Sequence, residues 1–305
     1  MPTTPPPIHT VLVIGGRRSG QTLDLVQLYV PSDKELETTF SASLLEPRSD
    51  PVAGVYRRRI IVAGGVDAFG RGLTTTEIYN PDRGVFEPGP RMNEAHAQGV
   101  GQLLGSRFYV CGGLASGSTM RNCEHYDFEN PSAGWTQEVG ALPLSLSGAS
   151  SAPIDDRSFL VIGGTSSAQQ LDHSYRYILE SGAIRVASMS GGARDEGAAG
   201  ALSSGSLLAC GGQRRSASGE FELLATCELY DVTRDAWDGL TVGALREARS
   251  YHEIVNYEGR ILVLGGFGAD ERLDSVEELI DGEWRLDVNR LGIAVNGFAA
   301  VVYEE

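Results

Sequence analysis

Short apolar runs alternate with polar stretches along the whole chain, and six of the runs end in a glycine pair. They read VLVI before Gly15-Gly16, IIVA before Gly64-Gly65, FYVC before Gly112-Gly113, FLVI before Gly163-Gly164, LLAC before Gly211-Gly212 and ILVL before Gly265-Gly266. Four residues are too few for a helix. β-Branched and aromatic residues bounded by turn formers predict buried strands instead. Glycine allows the positive φ and the close backbone approach needed where such a strand stops. From first glycine to first glycine the steps are 49, 48, 51, 48 and 54 residues. A period near fifty means one supersecondary unit repeated along the chain.

Each unit continues in the same way. A polar loop leads to a strand ending in tyrosine, at Tyr79, Tyr126 and Tyr230, with Tyr29 and Tyr177 in the same slot and Leu279 in the last unit. A turn follows, such as Asn80-Pro81-Asp82. An aromatic residue then opens a further strand: Phe86, Trp135, Trp237 or Trp284, with Phe40 in the stretched first unit and Ile184 in the fourth. One more strand precedes each glycine pair, as at 97–104 before the turn Gly105-Ser106. Four antiparallel strands per unit make a propeller blade.

Glycine pair, tyrosine and tryptophan in this order resemble the Kelch repeat, and the resemblance covers nearly the whole chain. It implies an all-β fold, a six-bladed Kelch-type β-propeller. The first unit begins at its second strand, and 296–303 reads as a first strand with no glycine pair after it. The C-terminal strand is therefore expected to join the N-terminal blade and close the ring. The expected organisation is an extended tail at 1–8 and one domain at 9–305. Its blades are 9–42 plus 296–305, 50–90, 97–140, 148–189, 197–243 and 250–289.

The formal net charge is −15 and the sequence pI about 4.8. An acidic chain of this kind argues against nucleic acid and against an anionic membrane as partners. No run approaches membrane-span length and no signal peptide is visible, so a cytoplasmic protein is expected. Lys34 is the single lysine, which leaves arginine as the common cation.

The four cysteines repeat by position. Cys111 and Cys210 precede glycine pairs, and Cys123 and Cys227 stand three residues before the strand tyrosine of the same units. Antiparallel pairing brings Cys111 near Cys123 and Cys210 near Cys227. Reduced, buried thiols are expected. Disulfides would require an oxidising compartment, and no CxxC or Cys/His spacing marks a metal site.

Catalytic motifs are absent. There is no GxSxG, P-loop or HExxH, and Gly191-Gly192 lacks the strand and helix a nucleotide loop needs. The residues Arg249-Ser250-Tyr251-His252 resemble the R-x-x-H at the start of Kelch inner strands, where it is structural. Neither the two-His, two-Tyr copper set of Kelch-fold oxidases nor the Glu-x-x-x-Asp-x-x-x-His spacing of the iron-dependent members can be assembled. No cofactor and no metal are expected.

Topology supplies the remaining candidates, since the inner strands of a propeller line a channel and the loops at its mouth form a binding surface. Fourteen residues before each glycine pair stand Asp50, Gln98, Ala149, Gly197 and Tyr251, with Asn296 on the closing strand. Two residues earlier stand Arg48, His96, Ser147, Asp195 and Arg249. The loops after the glycine pairs carry Arg17, Arg18, Arg71, Arg121, Arg214, Arg215 and Arg272. Arginines converging at one mouth suit carboxylates or phosphates. The expected role is a protein-interaction module that binds an acidic peptide loop, or a small anionic ligand, through these arginines with Gln98 and Asn296. The alternative is an enzyme acting on a small sugar-like or acidic substrate in the channel, such as an epimerase or isomerase. Its acid–base groups would come from Asp50, His96, Asp195, Tyr251 and His252, and a deep pocket with His96 facing a carboxylate would favour it.

Overall fold

The computed structural model describes residues 9–31, 40–216 and 218–304. They form six blade sheets and four two-stranded ribbons in the mouth loops, and the one helical element described is the short 3-10 turn Pro131–Ala133. Blades 2 to 6 each hold four antiparallel strands. In blade 2 these are Val52–Tyr56, Arg59–Ala63, Thr76–Asn80 and Val85–Pro88, paired in that order. The inner strands of the remaining blades are Val100–Leu104, Ser150–Asp155, Ala198–Ala201, Glu253–Tyr257 and Ala299–Glu304. Each neighbours the next, and Ala299–Glu304 returns to Val52–Tyr56.

Ring closure takes the expected form. Strand His9–Ile14 pairs antiparallel with Ala299–Glu304, from His9 opposite Glu304 to Ile14 opposite Ala299. Closure completes the ring, so the free edges of the inner strands face only the narrow central channel. The first blade differs from expectation in one respect: its sheet contains Ala299–Glu304, His9–Ile14 and Val26–Tyr29 only. The tail at 1–8 and most of the stretched segment before Phe40 lie outside the described residues. Phe40 itself sits in a loop, its ring 4.9 Å from Tyr79 and 6.0 Å from Tyr303.

The continuous apolar runs have a simple cause. Every second strand is buried on both faces, because each blade packs on two neighbours. Val11 and Val13 point into a cluster with Leu262 and Leu264 of blade 6, whereas Leu12 and Ile14 join Ile60 and Val62 of blade 2. Period-2 alternation thus distributes one run between two interblade cores.

The cysteines correct an expectation. Cys111 lies opposite Cys123 and Cys210 opposite Cys227 in the strand register, and both pairs are disulfide-bonded rather than reduced. Directly opposed residues on antiparallel strands have side chains within bonding reach. Each bridge clips the base of one mouth loop, across 12 residues in blade 3 and 17 in blade 5. Among the described residues no helix is long and apolar enough to cross a membrane.

Candidate functional site

Just before each inner strand the chain makes a left-handed turn at one residue. These residues are Asp50, Gln98, Gly148, Glu196, Tyr251 and Gly297, with φ between 52° and 64°. Their peptides join head to tail around the axis. Gly148 donates its N–H to the Gln98 carbonyl, Glu196 to Gly148, Tyr251 to Glu196, Gly297 to Tyr251 and Asp50 to Gly297, at 2.7–2.9 Å. Four of the six are not glycine. A left-handed L-residue costs about 1–2 kcal/mol, so the ring carries strain that the blades around it must hold. The two glycines leave room for neighbouring carboxyls. A Cβ on Gly148 would stand 2.6 Å from Glu196 Oε1, and one on Gly297 would collide with Asp50 Oδ1. The Asp50 and Glu196 carboxyls therefore lie across the mouth, each over its neighbouring glycine.

Beneath the ring runs a channel of about 380 Å³ lined by inner-strand residues such as Gly54, Gly101, Ala149, Ser151, Ala199 and Ala300. Above it opens a recess of about 640 Å³. Its floor is Asp50 and Gln98, and its walls include Arg17, Arg71, Ala95, Leu114 and Ser116.

The carboxyls at the mouth hold their protons unusually well. Burial raises Asp50 to about 6, against the pull of the Arg17 charge. Burial raises Glu196 well above the usual carboxylate range, reinforced by the charges of Asp50 and Asp195 and opposed by a hydrogen bond with Tyr251. One step down the channel, burial carries Glu253 to about 8. Burial away from water disfavours the ionised form in each case, and like charges add to it only at Glu196. The same burial, with nearby negative charge, raises the Tyr251 phenol.

A second layer lies two residues before the ring and faces into the protein. Arg48, 0% exposed, donates Nη1 to the carbonyls of Gly64 and Thr75 at 2.9 and 3.0 Å and Nη2 to Glu77 at 2.8 Å. Glu77 also accepts the backbone N–H groups of Leu45 and Glu46. Arg194 repeats the pattern with Gly211, Thr226 and Glu228, and Arg249 with Gly265, Ser275 and Glu277. Each guanidinium latches the loop entering a blade onto that blade's third strand. In blade 4 the latch is apolar, with Leu146 and Tyr175 in one cluster.

Residues 47–93 match the Kelch motif. The chain is a six-bladed β-propeller that carries a Kelch motif in its second blade. No curated protein is significantly similar to it in sequence. Among solved structures, that of YjhT is similar over 94% of this chain and 99% of that one, at 15% identity and a TM-score of 0.72. Such a likeness is one of fold. Kelch propellers generally mediate protein interactions, and this one has the architecture of a binding module.

Several expectations for the Kelch mouth need correction. Arg48 and Arg249 are buried latch residues and face no ligand. His96 does face a carboxylate, Glu124, at 3.2 Å, but both side chains are fully buried in the latch layer, out of a substrate's reach. His252 is buried as well, and burial with the Arg249 charge lowers it to about 3, so it stays neutral and is a poor base near neutrality. Asp195 is buried and accepts a hydrogen bond from Thr165 at 2.6 Å.

The loop arginines do not converge. Arg71 is held by Asp67, Nε to Oδ2 at 2.7 Å, and lies over Phe69. Arg214 pairs with Glu222, and Arg215 covers Phe221 on the same ribbon. Arg272 donates to Asn296 at 2.7 Å, and the Arg121 guanidinium lies against Gly140. Arg18 is exposed beside Arg17. Only Arg17 and Arg71 share the recess over Asp50.

Counting back from the glycines missed Glu196 and Arg194. Blade 4 has a bulge between Pro153 and Asp155, and blade 5 has the longer turn 202–206, each adding one residue to the count. The count there landed on Ala149 and Gly197 rather than Gly148 and Glu196. Aligning Arg194-Asp195-Glu196 with Arg48-Ser49-Asp50 by their shared arginine would have found both. Nothing in the residue pattern singled out Glu253.

Proposed function

We propose that this propeller is an interaction module whose mouth recess receives an acidic peptide loop of a partner protein. The observation that carries this reading is the pairing of Arg17 and Arg71 on the walls with Asp50 and Gln98 on the floor. A carboxylate of the ligand meets the two arginines, while its backbone N–H or hydroxyl groups meet Asp50 and Gln98. Pairs this open to water contribute about 0–1 kcal/mol each, so affinity depends on several acting together and on the loop excluding water. The test is selection of random displayed loops on the wild-type protein. Aspartate- and glutamate-rich loops should emerge and should lose about tenfold or more in affinity on an Arg17→Ala/Arg71→Ala variant. Neutral or basic loops, or loops that bind the double variant equally well, would refute the reading.

A second reading, an enzyme of the epimerase or isomerase type, draws on a different observation. Asp50 and Glu253 hold protons around neutrality in one channel, and burial with nearby negative charge also raises Glu196 well above the usual carboxylate range. Groups so tuned can take and return a proton on a small hydroxy acid. Deuterium exchange into such substrates in heavy water, lost in Asp50→Asn, would support it. Exchange unchanged in that variant would exclude this site.

The two matched disulfides support work in an oxidising compartment rather than the cytoplasm.

A further inference from the structure

Three of the loops that enter blades carry the same short pattern: Glu46-Pro47-Arg48, Glu94-Ala95-His96 and Glu247-Ala248-Arg249. In blades 2 and 6 the pattern puts one guanidinium between two carboxylates. Arg48 Nη2 is 2.8 Å from Glu77 and 3.5 Å from Glu46, and Arg249 Nη2 is 2.7 Å from Glu277 and 3.1 Å from Glu247. Blade 3 keeps both carboxylates, Glu94 and Glu124, but replaces the permanent cation with an imidazole.

The ring of His96 is oriented by its other nitrogen. Nδ1 lies 2.6 Å from the Gly112 carbonyl, which can only accept, so Nδ1 carries the hydrogen. Nε2 then turns a lone pair toward Glu124 Oε1 at 3.2 Å. One ligand atom from each of Glu94, His96 and Glu124 lies within 4.8 Å of the others. A lone pair and two carboxylates around one point need a positive charge among them.

We propose that Glu94, His96 and Glu124 bind a divalent transition-metal ion where the sister blades place a guanidinium. Imidazole with carboxylates suits zinc among such ions. Two donors bound at about 2.0–2.1 Å in a tetrahedron stand about 3.3 Å apart, close to the spacing already present between His96 and Glu124. The carboxylates are also held from behind. Glu124 Oε2 accepts from Asn93 N and Nδ2 at 2.7 and 2.6 Å, its Oε1 from Glu94 N at 2.7 Å, and Glu94 Oε2 from Asn122 Nδ2 at 2.8 Å. Outer donors of this kind fix ligand orientation and tune affinity. Glu94 is half-buried and gives the ion its path from solvent and a fourth position for water. The bound ion ties the loop entering blade 3 to strand Cys123–Asp127, beside the Cys111–Cys123 bridge. It thereby does electrostatically what Arg48 and Arg249 do in their blades.

The rival occupant is a proton, which would make His96 an imidazolium donating to Glu124. The two are separated by titrating tag-free, chelator-stripped protein with zinc chloride in a calorimeter, with cobalt(II) as a visible-absorption probe. One ion per chain, a tetrahedral cobalt spectrum and a raised melting temperature are expected. His96→Arg restores the sister-blade guanidinium, should fold, and should abolish binding. Glu94→Gln, at a half-buried position, should weaken binding about tenfold or more. Absence of stoichiometric binding to the wild type overturns the proposal. So does binding that survives His96→Arg, which would place the ion on exposed groups such as His9 with Glu258 and Glu304. Should His96→Arg fail to fold, an unchanged affinity in Glu94→Gln is the overturning result.

Discussion

The latch layer and the mouth ring are built from the same turns of chain, two residues apart, and they treat charge in opposite ways. At Arg48, Arg194 and Arg249 every buried guanidinium meets a carboxylate and two backbone carbonyls. At Asp50 and Glu196 two carboxyls share the mouth with no carboxylate-to-guanidinium pairing between them, and the Arg17 charge acts on Asp50. At these three arginines the first layer pairs its charges and holds blades together. The second is left unpaired by the protein, and its open polar groups are what a ligand can meet. The two layers are close neighbours in sequence and both carry charge, so pairing is what separates support from site.

Breaking that contrast should cost most in the latch. Glu277→Ala leaves the buried Arg249 guanidinium with only the more exposed Glu247 and is expected to cost about 3–5 kcal/mol in urea unfolding. Arg71→Ala, which removes an exposed side chain, should cost no more than about 1 kcal/mol. Equal losses from the two would mean the latch is no more than a surface pair.

The disulfides come next. Replacing Cys210 and Cys227 by serine should cost about 2–4 kcal/mol, since the bridge closes a loop within one blade. A thiol count in denaturant without reductant should find none of the four cysteines free; four free thiols would return the protein to a reducing compartment.

The smallest effect sharpens the mouth side. Folding raises Asp50 from 3.8 to about 6 and Glu253 from 4.5 to about 8. A raised value means the folded chain holds the proton more tightly. Both groups therefore favour folding in acid, and the contribution is lost as pH climbs through those two windows. Glu253→Gln should leave the melting temperature near pH 4 unchanged and raise it near pH 9. No gain at the higher pH would show that Glu253 is well solvated.

Much of the fold was legible because it depends on local rules. Glycine pairs end strands, two-residue alternation feeds two cores, and an unpaired strand such as Ala299–Glu304 needs a partner. The cysteine neighbours could be read from register, whereas their oxidation could not, since redox state belongs to the surroundings. The site was less legible. Arg48 and Arg71 are the same residue in neighbouring loops, and only the three-dimensional course of the chain shows that one is spent internally. A single added residue in blades 4 and 5 was enough to hide Glu196, because a count fixed in one blade fails after one bulge.

The backbone ring at the mouth has a consequence for how the protein attracts anything at all. Each peptide there carries a dipole of about 3.5 D, comparable to those that add along a helix axis. Here the five N–H to carbonyl links run tangentially, each turned from the last around the circle. Vectors that circulate in this way nearly cancel, so the ring projects little field along the channel. The mouth therefore has no built-in polarity of the kind a helix end offers an anion. Whatever sign it shows to a visitor is written by Asp50, Glu196 and Arg17, and can be rewritten one side chain at a time.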